Sequence, residues 1–154
     1  MGGLKLTINE AKTRICKLPE SFNFLGYTIG PYWSWRKRRL QLMQRPSPKS
    51  LRRVRATISA LTARSQTQLD VKTLVQRLNR RLLGWANYFR QGSVTQAYRA
   101  VDRHVELRFR QWLGAKHKQS GSRHDLYPRE LIFGKLGLVQ LTQRHLATVR
   151  ERHG

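Results

Sequence analysis

The sequence predicts a mainly α fold: a three-helix bundle preceded by a small N-terminal group of β-strands. Three observations carry that expectation. Between residues 46 and 114, apolar residues recur at three- and four-residue steps in three separate runs, the spacing of a buried helix face. Before Pro46 they alternate with polar residues or cluster with aromatics, as strands do. The third is Leu82-Leu83-Gly84-Trp85-Ala86-Asn87-Tyr88-Phe89-Arg90, three aromatics in nine positions near the middle of the chain. Trp and Tyr bring large apolar area plus one polar atom that needs a partner. The stretch therefore reads as a hub where helices meet, built from Gly84, Trp85, Asn87, Tyr88 and Phe89 with Tyr98 and Trp112.

In chain order, Arg14-Ile15-Cys16-Lys17-Leu18 alternates as a half-buried strand would. Pro19-Glu20-Ser21 marks a turn. The run from Phe22 to Ile29 is aromatic and β-branched enough for a second strand, which Gly30-Pro31 is expected to stop. Trp33-Ser34-Trp35 and Leu40-Gln41-Leu42 flank Arg36-Lys37-Arg38-Arg39, which suggests a hairpin with a charged tip. Ser47 and Pro48 then open a helix as N-cap and first residue, with Leu51, Val54, Ile58 and Leu61 as its stripe. Thr67 to Asp70 fits a capping box for the second helix, whose stripe is Val71, Leu74, Val75, Leu78 and Leu82 until Gly84 interrupts. Val94, Tyr98, Val101, Val105, Phe109 and Trp112 define a third helix, closed by Gly114. Asp102 and Glu106 lie one turn from Arg99, Arg103 or Arg110, so surface ion pairs are expected there. After a polar, loop-like stretch to Asp125, the last thirty residues hold enough apolar side chains to pack back on the bundle, in a form the pattern leaves open. Three regions follow: strands in 1–45, the helical bundle in 46–118, and a C-terminal extension packing on it in 119–154.

Charge dominates the composition. The 154 residues carry 31 Lys and Arg against 8 Asp and Glu, a formal net charge of +23. From Ser21 to Val101 there are 16 Lys and Arg and one acid, Asp70. Such a body repels itself unless it meets a polyanion. Arg outnumbers Lys, 22 to 9, and its planar fork suits phosphate and base edges. Nucleic acid is therefore the first partner expected and an anionic membrane surface the second. Trp33, Trp35, Tyr88 and Tyr127 are candidates for stacking on unpaired bases. For Trp33 and Trp35, packing is an equal alternative. Trp85, Phe89, Tyr98 and Trp112 sit on or beside helix stripes and are assigned to the core.

Several chemistries find no residues. The single Cys16 allows no disulfide framework within the chain. The five histidines form no His-x-x-x-His pair, so no metal site is expected. Clustered carboxylates for two-metal catalysis are missing, as is a Gly-rich phosphate loop, so no catalytic residue and no cofactor are assigned. No apolar run approaches the ~20 residues of a membrane span, and a cytoplasmic location is expected.

The hub, preceded by Pro48-Lys49-Ser50-Leu51 and followed by Tyr98, Asp102 and Arg110-Gln111-Trp112, resembles the maturase-specific domain of group II intron reverse transcriptases, also called domain X or the thumb. The resemblance covers residues 46–118. Upstream, Gly3-Leu4-Lys5-Leu6 and Glu10-Ala11-Lys12-Thr13 are similar to the end of that family's palm, and Phe24-Leu25-Gly26-Tyr27 to the strand pair that steadies the primer end. Tyr127 and the run from Gly134 to Leu141 are similar to the apolar stretch that often closes these proteins. The family's Tyr-Ala-Asp-Asp motif is absent from this sequence, as is its Cys- and His-bearing endonuclease domain.

The resemblance thus implies a thumb-like bundle with a strand remnant of a palm. It implies an RNA-binding module that assists folding and splicing of intron RNA and is not itself an enzyme. The RNA-contacting residues are expected to be Arg36, Lys37, Arg38, Arg39, Arg52, Arg53, Arg55, Arg77, Arg80, Arg81, Arg90, Arg108, Arg110, Lys116, His117 and Lys118. One alternative is part of a reverse transcriptase whose palm is missing or on another chain, which would then be a second partner. Another is a relic or a generic structural RNA binder. Phe22, Phe24, Leu25 and Tyr27 are expected to be partly exposed where a palm would cover them.

Overall fold

The structure, a computed structural model, describes residues 21–153. The expected strand at Arg14 to Leu18 and the palm-like residues before it lie outside that range. The described chain begins with an antiparallel sheet in the order β1 (Phe22–Phe24), β2 (Tyr27–Ser34), β3 (Arg39–Pro46). The hairpin with the basic tip forms: Trp33 pairs with Leu40, and Trp35 to Arg38 make the turn. Gly30-Pro31 does not stop β2, which runs on to Ser34. β1 ends its pairing at Ile29, so Pro31 sits where β2 has a neighbour on one side only. A missing N–H is tolerated at such an edge.

The fold is mainly α, as expected. Ser47 caps α1 (Pro48–Leu61), accepting the Ser50 N–H at 3.1 Å. Val54 and Ile58 are buried on the expected stripe. The capping box does not form. Residues Arg64–Gln66 make a 3-10 turn, and the Thr67 hydroxyl donates to the Arg64 carbonyl at 2.9 Å. That local bond satisfies Thr67 before it can cap a helix, and α2 (Val71–Tyr88) starts after Asp70. Gly84 does not interrupt α2: Leu82 and Ala86 on either side of it are buried, and their packing carries the helix through. Gly114 likewise lies within α3 (Thr95–Lys116). A Cβ there would stand 2.6 Å from Arg123 Nε, so the glycine marks a close approach rather than an end.

The C-terminal segment folds back on the bundle through α4 (Arg123–Leu126), a π-helical turn (Glu130–Lys135) and α5 (Leu141–His153). Tyr127, Ile132, Leu138 and Leu141 join the core formed by Ile58, Leu74, Leu78, Leu82, Val101, Val105, Phe109 and Trp112. Helix α3 is the central element, packed against both α1 and α5.

Asp102 is not a surface ion-pair partner. It is buried and accepts from Leu141 N at 2.9 Å, Thr142 N at 2.9 Å and Thr142 Oγ1 at 2.7 Å. The first turn of a helix leaves N–H groups unpaired and favours negative charge, and α5 finds both on α3. Of the expected pairs, Arg110 with Glu106 forms, at 2.9 Å.

His104 joins α3 to α1: its Nε2 lies 3.1 Å from Ser59 Oγ and 3.2 Å from the Arg55 carbonyl. Burial lowers its pKa, and the Arg55 and Arg108 charges add to this while the Arg55 carbonyl opposes it. The unfolded chain therefore takes up this proton more readily than the folded one. The stability from His104 is full above its ordinary value near 6.5 and is lost as pH falls from there through the lowered one. His104→Gln keeps an N–H donor without titrating. Thermal melts should show a smaller decline between pH 7.5 and 5.5 in this variant than in the wild type. Parallel declines would assign the pH dependence elsewhere.

Candidate nucleic-acid interface

Two helices without a single acid face each other across an open groove. On α1, Ser50, Arg53, Thr57 and Leu61 follow one another at helical spacing along the groove wall. On α2, Arg77, Arg80, Arg81, Gly84 and Tyr88 do the same. Positions three and four apart share a helix face, so the arginines that the apolar stripes push outward are gathered on one side. The groove has a volume of about 900 Å³. Arg53, Arg77, Arg80 and Arg81 line it, and none of them takes part in an ion pair among the described residues.

The hub closes one end. At the β1–β2 turn, Leu25 and Gly26 both have positive φ, 52° and 86°. The Gly26 carbonyl accepts from Ser47 N and Ser50 Oγ, both at 2.8 Å, which joins the turn to the start of α1. The Leu25 carbonyl accepts from the Tyr88 hydroxyl at 2.8 Å, which joins the same turn to α2. A Cβ on Gly26 would lie 3.0 Å from the Phe89 ring, so glycine serves both the turn and this contact.

Tyrosine hydroxyls also finish α2. The last carbonyls of a helix lack intrahelical partners. Tyr98 donates to the carbonyls of Ala86 and Phe89 at 3.0 and 2.8 Å, and Tyr27 donates to that of Tyr88 at 2.8 Å. Burial, followed by the nearby Tyr27, pushes the Tyr98 hydroxyl above its ordinary pKa, while Arg144 opposes it. Trp85 and Phe89 pack at 5.0 Å between ring centres, and Trp85 and Tyr98 at 5.9 Å. The groove therefore has a rigid end wall.

The structure divides the expected contact residues. Arg53, Arg77, Arg80 and Arg81 meet in the groove. Arg52, Arg55 and Arg90 are exposed but do not line it, and Arg36, Lys37, Arg38 and Arg39 are exposed at the hairpin tip. His117 and Lys118 are exposed just after α3. Three cations are already engaged within the fold. Arg108 donates to Thr62 Oγ1 at 3.1 Å and the Ser59 carbonyl at 3.0 Å, tying α3 to the end of α1. Arg110 pairs with Glu106 and donates to the Tyr127 carbonyl at 2.8 Å. Lys116 donates to the carbonyls of Thr67 and Leu69 at 3.0 and 2.7 Å.

Among the aromatics, Tyr127 is buried, with its hydroxyl on Gln119, so it is no stacking platform. Trp35 is 82% exposed at the hairpin. Asn87 is exposed and Trp112 stacks on Phe109, so neither belongs to the hub cluster. A second cavity of about 490 Å³ is lined by Arg64, Arg108, Lys118 and Arg123. Arg64 and Arg123 escaped the sequence reading because no periodic run contains them. Ser50 and Thr57 were visible at one-turn steps from Arg53, but nothing polar marked them.

No helix among the described residues is long and apolar enough to cross a membrane, and no group of three or more His, Cys, Asp or Glu is placed to hold a metal ion. Among curated proteins the chain finds no match. Residues 51–129, which run from within the first turn of α1 to beyond α4 and so contain the groove arginines, Trp85, Tyr88, Phe89 and Tyr98, match the family model of the group II intron, maturase-specific domain. The chain belongs to that family.

Proposed function

We propose that this chain is an RNA-binding maturase module. The groove between α1 and α2 grips structured intron RNA and holds it in a splicing-competent fold, while the RNA supplies the chemistry. The observation that carries this reading is the placement of Arg53, Arg77, Arg80 and Arg81 along one open groove whose two walls contain no acid. Arginine forks engage phosphate oxygens in pairs, and exposed cations with no ion-pair partner among the described residues have the strongest reason to meet an external anion. Family membership supports intron RNA as the polyanion.

Filter binding to a transcribed group II intron, across a salt series and against bulk RNA as competitor, tests the reading. Log affinity should fall linearly with log salt, each phosphate contact adding about 0.7–0.9 to the slope. A flat salt response counts against the groove as a phosphate grip. Equal competition by bulk RNA favours a generic RNA binder.

A second reading rests on the sheet. Phe22, Phe24, Leu25 and Trp35 are exposed by 47%, 59%, 69% and 82%. Phe22, Phe24 and Leu25 stand together at β1 and its turn, with Trp35 at the far end of β2, and exposed apolar area of this kind marks an interaction surface. On this reading a palm-bearing reverse transcriptase chain covers the sheet, and the module serves as that enzyme's thumb. Tyr27 is partly exposed, as expected, though less so than its neighbours, because it packs on Phe89 with ring centres 5.1 Å apart.

A further inference from the structure

Nothing among the described residues explains why position 84 is glycine. It lies near the middle of the last two turns of an 18-residue helix, where glycine is less stable than alanine. Its φ is not positive. Among the described residues, a Cβ built on it meets nothing within 4 Å, in contrast to Gly26, Gly92 and Gly114, where a Cβ would crowd a neighbour. Among the described residues no turn, helix crossing or packed side chain uses its small size. It faces the basic groove, with Arg80 and Arg81 one turn before it and Tyr88 one turn after.

From this we propose that Gly84 is the seat of the sugar–phosphate backbone of the bound RNA strand. The inference rests on the groove being the RNA grip. A bare Cα lets the ligand backbone lie against the helix itself, the close approach glycine permits elsewhere. The flanking guanidinium groups then reach phosphates on either side of the seat.

The same bareness has a second consequence. A helical side chain covers the turn N-terminal to its own Cα. Without one at Gly84, the carbonyls of Arg80 and Arg81 are left uncovered. Each accepts its helix bond and keeps a second lone pair. A ribose 2′-hydroxyl donates to such an acceptor, and a deoxyribose has nothing to donate. The seat therefore favours RNA over DNA of the same sequence.

The experiment uses the full chain, Gly84→Ala and Gly84→Leu, with a synthetic RNA hairpin carrying a single-stranded tail and its all-deoxy counterpart. Thermal melts should show neither variant less stable than the wild type, with Gly84→Ala raised by roughly 2–4 °C. RNA affinity should fall about tenfold in Gly84→Ala and further in Gly84→Leu, while DNA affinity falls less than threefold in Gly84→Ala. Unchanged RNA affinity in both variants, or a lowered melting temperature in Gly84→Ala, overturns the seat. Equal losses on RNA and DNA overturn the 2′-hydroxyl contact. A wild-type chain that binds neither probe overturns the groove reading together with this one. A wild type that binds, loses affinity when the groove arginines are removed and ignores both Gly84 variants overturns this inference alone.

Discussion

Replacing Arg77, Arg80 and Arg81 together by alanine is expected to weaken binding of intron RNA about a hundredfold near physiological salt. The three side chains are exposed on one face of α2 and line the groove. Each phosphate contact at such a site contributes about 1 kcal/mol, and three make the hundredfold loss. The log–log salt slope should become shallower by about 2–3. The fold should survive, because none of the three makes an internal ion pair or side-chain hydrogen bond among the described residues and alanine sustains helix well. Removing Arg36, Lys37 and Arg39 from the hairpin tip takes away the same charge. That control should cost less than about tenfold, since a diffuse field is screened within a Debye length of ~8 Å. Equal losses from the two triple variants would mean that overall charge, and not the groove, holds the RNA.

The largest effect on stability is expected at Asp102. Asp102→Ala should destabilise the fold by about 3 kcal/mol in denaturant unfolding, because it leaves the buried N–H of Leu141 and that of Thr142 without an acceptor. Asp102→Asn keeps one acceptor oxygen and should lose about half as much. Amide exchange should show where the damage falls. Protection at Leu141 and Thr142 should disappear first, while Leu78 and Phe109 in the bundle stay protected. Burial raises the Asp102 pKa, opposed by the bonds from Thr142 and Leu141. The folded chain therefore holds this proton more tightly than the unfolded one. Its contribution through titration is largest below the ordinary value of 3.8 and declines as pH rises through the raised one. The carboxylate is kept for the connection it makes to α5. An unchanged unfolding curve in Asp102→Ala would show that α5 is held by its apolar contacts alone.

The helices were legible because their cause is local. Val54 and Ile58, and Leu74, Val75, Leu78 and Leu82, are buried at the spacing that marked them, with Leu51 and Leu61 partly buried beside them, and Ser47 announced the start of α1. Where local rules misled, a nonlocal partner outweighed them. Gly84 and Gly114 read as breaks, yet α2 and α3 continue through them under packing from the rest of the bundle. Thr67 read as a cap, yet its hydroxyl bonds within its own turn. Asp102 and Glu106 read alike, one turn apart on one helix. Only the return of residues 138–142 to α3 made Asp102 a buried acceptor and left Glu106 the ion pair with Arg110.

The site shows the same division. Residue order alone determined that this chain carries a large net positive charge and that its arginines sit off the apolar stripes, because charge and helical period are properties of the one-dimensional order. Tertiary structure decided which cations face each other. Arg53 meets Arg77, Arg80 and Arg81 because α1 and α2 are drawn to one hairpin turn through Ser50 and Tyr88, whereas Arg108, Arg110 and Lys116 are spent on carbonyls of neighbouring segments. Which side chains remain free to act on a partner depends on contacts between residues far apart in the chain, and no local pattern encodes those.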